Sequence, residues 1–306
     1  MYWMNIKALI KGIYKVLFRK IDRSFFWNGD TYSDHCISEN VQWKCYAFLK
    51  REYAAFLQGL TKYGVSHDRA KVIWWCWLQG EENAPDLCKI CLASIKKELP
   101  EYEVRIITND NLCEYIELPE YILNKQRKGL ISGAHFSDII RLELLVKYGG
   151  IWMDSTVFCS GNQNADFLSE PFFVFQNWKF NQEHAALASN WFIVSNKEHP
   201  ILKTTLELLL EYWLKNDSAI DYYIFHFFFH LAANRYPELW ASMPRYSNIP
   251  PHILQFELFE QYSYKRFQQI TTMSDFHKLN WKAEALNKDI DNTYYKHLKR
   301  GLIRSK

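Results

Sequence analysis

The segment SGAHFSDIIRLELLVKYGGIWMDSTVF, residues 132–158, constrains the fold of this chain more than any other. Ile139, Ile140, Leu142, Leu145 and Val146 give one buried side to a helix running from about Ser132 to Tyr148. Ser132 suits its N-cap and Gly149 its termination. The chain then passes through Gly149-Gly150 into an apolar strand, GIWM, that stops at Asp154. Asp is depleted in strands, and a buried carboxylate without a partner costs several kcal/mol or more. Either the chain surfaces at Asp154, or Asp154 meets a charge.

The preceding sequence favours a strand end at a ligand-binding rim. KVIWWCWLQG, ended by Gly80, reads as a fully buried strand. Pro85 opens a helix to about Leu99, and EVRIIT is a second strand. Strand–helix–strand–helix–strand is the pattern of a parallel sheet with crossover helices, whose ligands bind at the carboxyl ends of the strands. PFFVFQN and NWFIVS are further strand candidates, and long helices are expected at about Pro200–Lys215 and Ser218–Tyr236. Residues 1–70 read as a helical N-terminal segment, and 71–306 as an α/β domain with a helical C-terminal elaboration, without repeats or a low-complexity linker.

Charge distribution says more than charge sum. A net charge of +3 is too small to argue for nucleic acid as a partner. Lys7, Lys11, Lys15 and Arg19 recur every fourth residue, opposite Ile6, Leu9, Ile10, Ile13, Leu17 and Ile21. A basic amphipathic helix over about 5–21 can lie on an anionic membrane surface; the alternative is a helix packed on the domain with a solvated basic face. The apolar run is too short to span a bilayer and too interrupted for a signal peptide. Seven cysteines without framework spacing fit a reduced chain. The expected location is therefore the cytoplasm, with peripheral attachment to the inner face of the cytoplasmic membrane if the basic helix lies on it rather than packing on the domain. Cys88 and Cys91 form a lone CxxC on a helix and lack the two further ligands a zinc site needs. His226 and His230, four apart among phenylalanines, read as core or rim histidines. Aromatic residues reach 17%, and their flat faces suit both cores and stacking on sugars or bases.

Asp138 and Arg141 are three apart on the helix that delivers the chain to Asp154. They form either a surface ion pair or, with Asp154, a charged cluster on one rim. HFSDIIRLELLVKYGGIWMDSTVF resembles the signature of glycosyltransferase family 32 and its relatives, the capsular polysaccharide synthesis proteins, a pattern shared with the large glucosylating toxins. KVIWWCWLQG, DYYIFHFFFH and HKLNWK resemble further segments of that family, so the likeness runs from about Lys71 to Lys282. The resemblance implies a GT-A fold: a Rossmann-type mixed sheet flanked by helices. It also implies a nucleotide-sugar donor, with UDP-sugars favoured, a divalent cation, Mn2+ or Mg2+, and retention of anomeric configuration. Carried onto this sequence, Trp77 would stack on the base, and Asp138 would bind sugar or ribose hydroxyls. Arg141 would face the sugar or diphosphate. Asp154, with Ser155 beside it, would hold the donor and approach the metal.

The motif departs from the toxins at Thr156, where they carry a second Asp, and a hydroxyl is a weak ligand for Mg2+ or Mn2+. His277 is the candidate for an additional metal ligand, and Lys278 or Lys282 for neutralising phosphate; HKLNWK reads equally as a solvated turn. Asp221 is either a donor contact or a helix N-terminal carboxylate, and Asn190 either a donor-sugar contact or a turn residue. The expected activity is transfer of a hexose from a nucleotide sugar to a hydroxyl of a surface polysaccharide or lipid-linked oligosaccharide. The alternative is a non-catalytic sugar-binding or scaffold subunit of a polysaccharide-assembly complex.

Overall fold

The computed structural model describes residues 31–177, 184–283 and 289–304; the basic amphipathic stretch at 5–21 lies outside them. Five strands form the central sheet: β1 (Val72–Cys76), β2 (Glu103–Ile107), β3 (Gly150–Met153), β5 (Phe172–Gln176) and β6 (Ala188–Ser195). Their order is β2-β1-β3-β6-β5. β1 runs parallel to β2 and β3, whereas β6 runs antiparallel to both β3 and β5. The α/β expectation of a mixed sheet flanked by helices holds, with the parallel half supplied by the three strands linked through helices. β4 (Val157–Cys159) leaves this sheet and pairs antiparallel with β7 (Phe276–Lys278) as a separate two-stranded ribbon.

The apolar strands are apolar because both their faces are covered. Ile73, Trp74 and Trp75 in β1 have no solvent exposure. Helices α1 (Thr31–Glu52), α2 (Asp86–Glu98), α3 (Gly133–Tyr148), α4 (Pro200–Lys215) and α5 (Ile224–Arg235) flank the sheet. α3 packs on α4, and α4 on α5. Ile37, Val41, Cys45 and Leu49 of α1 join the same core as β1 and β3. A second core gathers Leu87 and Cys91 of α2 with Leu254, Leu258, Ile270 and Tyr294 from the C-terminal helices. α2 is thus wedged between two cores: Cys88 faces the first and Cys91 the second. α5 starts at Ile224, six residues later than the periodicity suggests, because the backbone N–H of Tyr223 donates to Asp221 Oδ1 (2.9 Å) and holds that stretch in a turn.

The junction between α3 and β3 is set by its two glycines. Ser132 caps α3, accepting from the backbone N–H of His135. Gly149 ends it at φ +66°, and its carbonyl accepts from the buried indole Nε1 of Trp74 at 2.8 Å. Gly150 sits at φ +102°, and a Cβ there would lie 2.8 Å from the carbonyl oxygen of Val72. Only glycine allows helix α3 to enter the centre of the sheet this tightly.

Candidate active site

Asp154 follows the last residue of β3, and its backbone N–H donates to the Trp191 carbonyl at 2.9 Å. A turn closed by the Val157 N–H on the Asp154 carbonyl (2.9 Å) then carries the chain into β4. The carboxylate does meet charge. Oδ1 accepts from Arg141 Nη2 (2.9 Å) and from Trp152 Nε1 (2.9 Å), while Lys278 Nζ lies 3.0 Å from Oδ2. Arg141 also donates through Nη1 to Asp138 Oδ1 at 2.6 Å, and Asn190 Nδ2 donates to the same oxygen at 2.8 Å. The Arg141 guanidinium rests over the Trp152 ring, 4.8 Å from its centroid. Two carboxylates and two cations therefore alternate in one network: Asp138, Arg141, Asp154, Lys278.

This network is no surface ion pair. Arg141 is 4% exposed and Asp138 6%. Burial pushes the Asp138 carboxyl up to about 7; the Asp154 charge adds to that rise and Arg141 opposes it. At Asp154 burial also pulls upward, but Lys278 and Arg141 together outweigh it and hold the carboxyl below its ordinary range. Two acids in one network thus have opposite tendencies, a separation characteristic of functional sites.

The network lines a cavity of about 650 Å³ at the carboxyl ends of β1 and β3. Trp77, Asp138, Arg141, Asp154, Ser155, Thr156, Asn190 and Lys282 all border it. Trp77 stands edge-to-face against Trp281, ring centroids 5.8 Å apart, and both indoles line the cavity. Trp152, Tyr222, His226, Gln255 and Lys278 border it as well. Burial, followed by the nearby Arg141 charge, lowers the His226 pKa to about 3, so its imidazole is neutral.

Two expected residues lie elsewhere. Asp221 does not border the cavity; it accepts from the Tyr223 N–H just before α5. His277 is fully buried, hydrogen-bonded through Nε2 to Ser160 Oγ at 2.9 Å and set beside the Phe158 ring. Side chains alternate along a strand, so Lys278 takes the cavity side of β7 and His277 the other, where burial lowers its pKa to about 3.

The residues present do not suit a divalent cation. Mg2+ and Mn2+ need several oxygen ligands, carboxylates above all. Both oxygens of Asp154 are engaged by cations, and Thr156 Oγ1 accepts from Lys278 Nζ at 2.5 Å. His277 is on the far side of the ribbon, and no group of three or more His, Cys, Asp and Glu side chains able to hold a metal occurs among the described residues.

A charged cavity with aromatic walls thus lies at the strand ends of a mixed α/β sheet. Residues 27–298 match the capsular polysaccharide synthesis protein family, and the chain belongs to it. An O-glycosyltransferase, braB, of Annulohypoxylon truncatum is 27% identical over 246 residues, 73% of this chain and 56% of that protein. The O-glycosyltransferase PaGT of Phomopsis amygdali is 26% identical over 167 residues, 50% of this chain and 41% of that protein. The chain thus spans about half the length of the curated relatives it matches. Among solved structures, PaToxG glycosyltransferase aligns over 86% of this chain and 96% of its own, at 15% identity and a TM-score of 0.39. No helix among the described residues is long and apolar enough to cross a membrane.

Proposed function

We propose that the chain is a retaining hexosyltransferase that moves a hexose from a nucleotide sugar, UDP-sugars favoured, to a hydroxyl of a surface polysaccharide or lipid-linked saccharide. The observation that carries this reading is the Asp138–Arg141–Asp154–Lys278 network on the floor of an indole-walled cavity. Glycosyl transfer leaves a nucleoside diphosphate on which negative charge grows, and fixed cations in a partly desolvated site stabilise it. Arg141 keeps Nε without a hydrogen-bond partner although both its Nη groups are engaged. Lys278 and Lys282 add two further positive charges on the same cavity. Trp77 offers a flat face for the base. Asp138, its carboxyl raised by burial and held by Arg141 and Asn190, is placed to meet a sugar hydroxyl. The acceptor oxygen bonds to C1 as the C1–O bond to diphosphate breaks. The acceptor's proton passes to a phosphate oxygen of the leaving group, so the reaction needs no dedicated base.

The UDP preference and retention follow from the family resemblance, and the relatives' names as O-glycosyltransferases support a hydroxyl acceptor. The catalytic unit would comprise 71–306, with the 5–21 helix holding it at an anionic membrane where a lipid-linked acceptor resides. Purified protein incubated with UDP- and GDP-sugars should slowly hydrolyse one donor, releasing nucleoside diphosphate, and Asp154→Ala should abolish that release. Silence with every donor, together with no thermal stabilisation by UDP or GDP, would overturn the transferase reading in favour of a binding or scaffold role.

A further inference from the structure

We infer that Lys278 stands where a divalent cation would otherwise sit, so that donor binding and transfer proceed without metal. This rests on the cavity being a nucleoside-diphosphate site, and it extends that reading to how the diphosphate charge is met. The ammonium bridges the first and third residues of the Asp154-Ser155-Thr156 motif, 3.0 Å from Asp154 Oδ2 and 2.5 Å from Thr156 Oγ1. Those are the two side chains through which such a motif would grip a metal ion.

The position is built in. β7 pairs with β4 so that Val157 faces Lys278, and the Leu279 N–H donates to the Thr156 carbonyl at 2.9 Å. These backbone bonds, immediately after the motif, hold the lysine Cα beside it. The side chain is 21% exposed, enough for its head to reach the cavity while its stem is covered. An ammonium has three donors. Asp154 and Thr156 take two, which leaves one for a phosphate oxygen.

The residue type at 156 fits this arrangement. A metal prefers a second carboxylate there, whereas an ammonium already paired with Asp154 needs only a neutral acceptor. A second carboxylate would add a third acid to a network that already holds Asp138 and Asp154. A divalent ion seated on Asp154 Oδ2 would also lie within a few ångströms of the ammonium, and at that distance like charges repel strongly. Metal and Lys278 therefore exclude one another at this place.

The test measures binding of UDP and GDP to the full chain by calorimetry, with EDTA or with Mn2+, for wild type and Lys278→Met, which keeps the stem and removes the charge. The better nucleotide should bind the wild type equally well in EDTA and in Mn2+. Lys278→Met should bind it about tenfold or more weakly in EDTA, the loss of a hydrogen bond to a charged group. Mn2+ should recover part of that loss, because Asp154 and Thr156 are then open to it. Wild-type binding that requires Mn2+ overturns the inference while leaving the nucleotide site intact. Equal affinity of the two proteins in EDTA, with the variant folded by circular dichroism, overturns it too. No binding of either nucleotide under any condition defeats the underlying site assignment instead.

Discussion

Replacing Arg141 by Met should destabilise the protein by an amount that grows with pH. The guanidinium is 4% exposed and donates to Asp138 at 2.6 Å and to Asp154 at 2.9 Å. Hydrogen bonds to charged groups contribute about 1.5–3 kcal/mol each, and stripping one partner from a buried ion pair costs about 3–5 kcal/mol. Asp154 keeps Lys278 and Trp152, so most of the loss falls on Asp138. Burial already pushes that carboxyl from its ordinary 3.8 up to about 7. A carboxyl raised in the folded state lends stability that is complete below its unfolded value and is lost as pH rises through its folded value. Without Arg141 the folded value climbs further. Below about pH 6 Asp138 is then protonated in both proteins and the deficit is flat, at roughly 2 kcal/mol from the remaining lost contacts. Above about pH 7 only the wild type ionises Asp138 readily, and the deficit widens by up to ~1.4 kcal/mol per pH unit. Urea unfolding of both proteins at about pH 5.5, 7 and 8.5 measures this directly. A deficit unchanged across the three, or below about 1 kcal/mol at the highest, would refute the account of Asp138 as a buried acid held by Arg141.

Two further substitutions test separate parts of the structure. Trp77→Ala should weaken UDP binding by about five- to a hundredfold, since stacking of a base on an aromatic ring contributes about 1–3 kcal/mol; calorimetry finding less than about a twofold change would remove Trp77 from the base subsite. Gly150→Ala should cost about 2 kcal/mol or more, because φ +102° is joined by a contact of 2.8 Å with the Val72 backbone. Gly129→Ala, at φ +69° with nothing within 4 Å, carries the backbone strain alone and should cost less in the same unfolding experiment. Equal losses would mean that the close approach of β3 to β1 does not hold the Gly150 position.

Much of this architecture can be read before any coordinates. The spacing of apolar residues marks α3, Ser132 and Gly149 mark its ends, and the unbroken apolar runs mark β1 and β3 as buried strands. Asp154 at a strand end follows from these. The burial of Asp138 and Arg141 does not, because three-residue spacing describes an exposed pair equally well; what buries them is α5 and Asn190, distant in sequence. The assignment of β7 also escapes sequence reasoning. FHK is only three residues long, too short for an alternation to show, and it is a strand because β4 pairs with it. Without that pairing nothing distinguishes His277, the more familiar metal ligand, from Lys278, the residue that faces Asp154. Asp221 illustrates another case: its position fits a donor contact or a helix N-terminal carboxylate, and the structure places it just before α5, where it accepts from the Tyr223 N–H.

The ribbon of β4 and β7 also fixes the order in which this site can come into existence. Asp138, Arg141 and Asp154 lie within one helix–strand unit, so a chain growing from its N-terminus has all three as soon as that unit docks. Lys278 arrives 122 residues after Thr156. Until then the cluster holds two acids against one base. Contacts of such long sequence separation form late, since the intervening loop must first lose its freedom. A nascent or truncated chain that lacks β7 therefore leaves Asp154 without one of its two cationic partners, and the site is complete only once β7 has been made and has paired with β4.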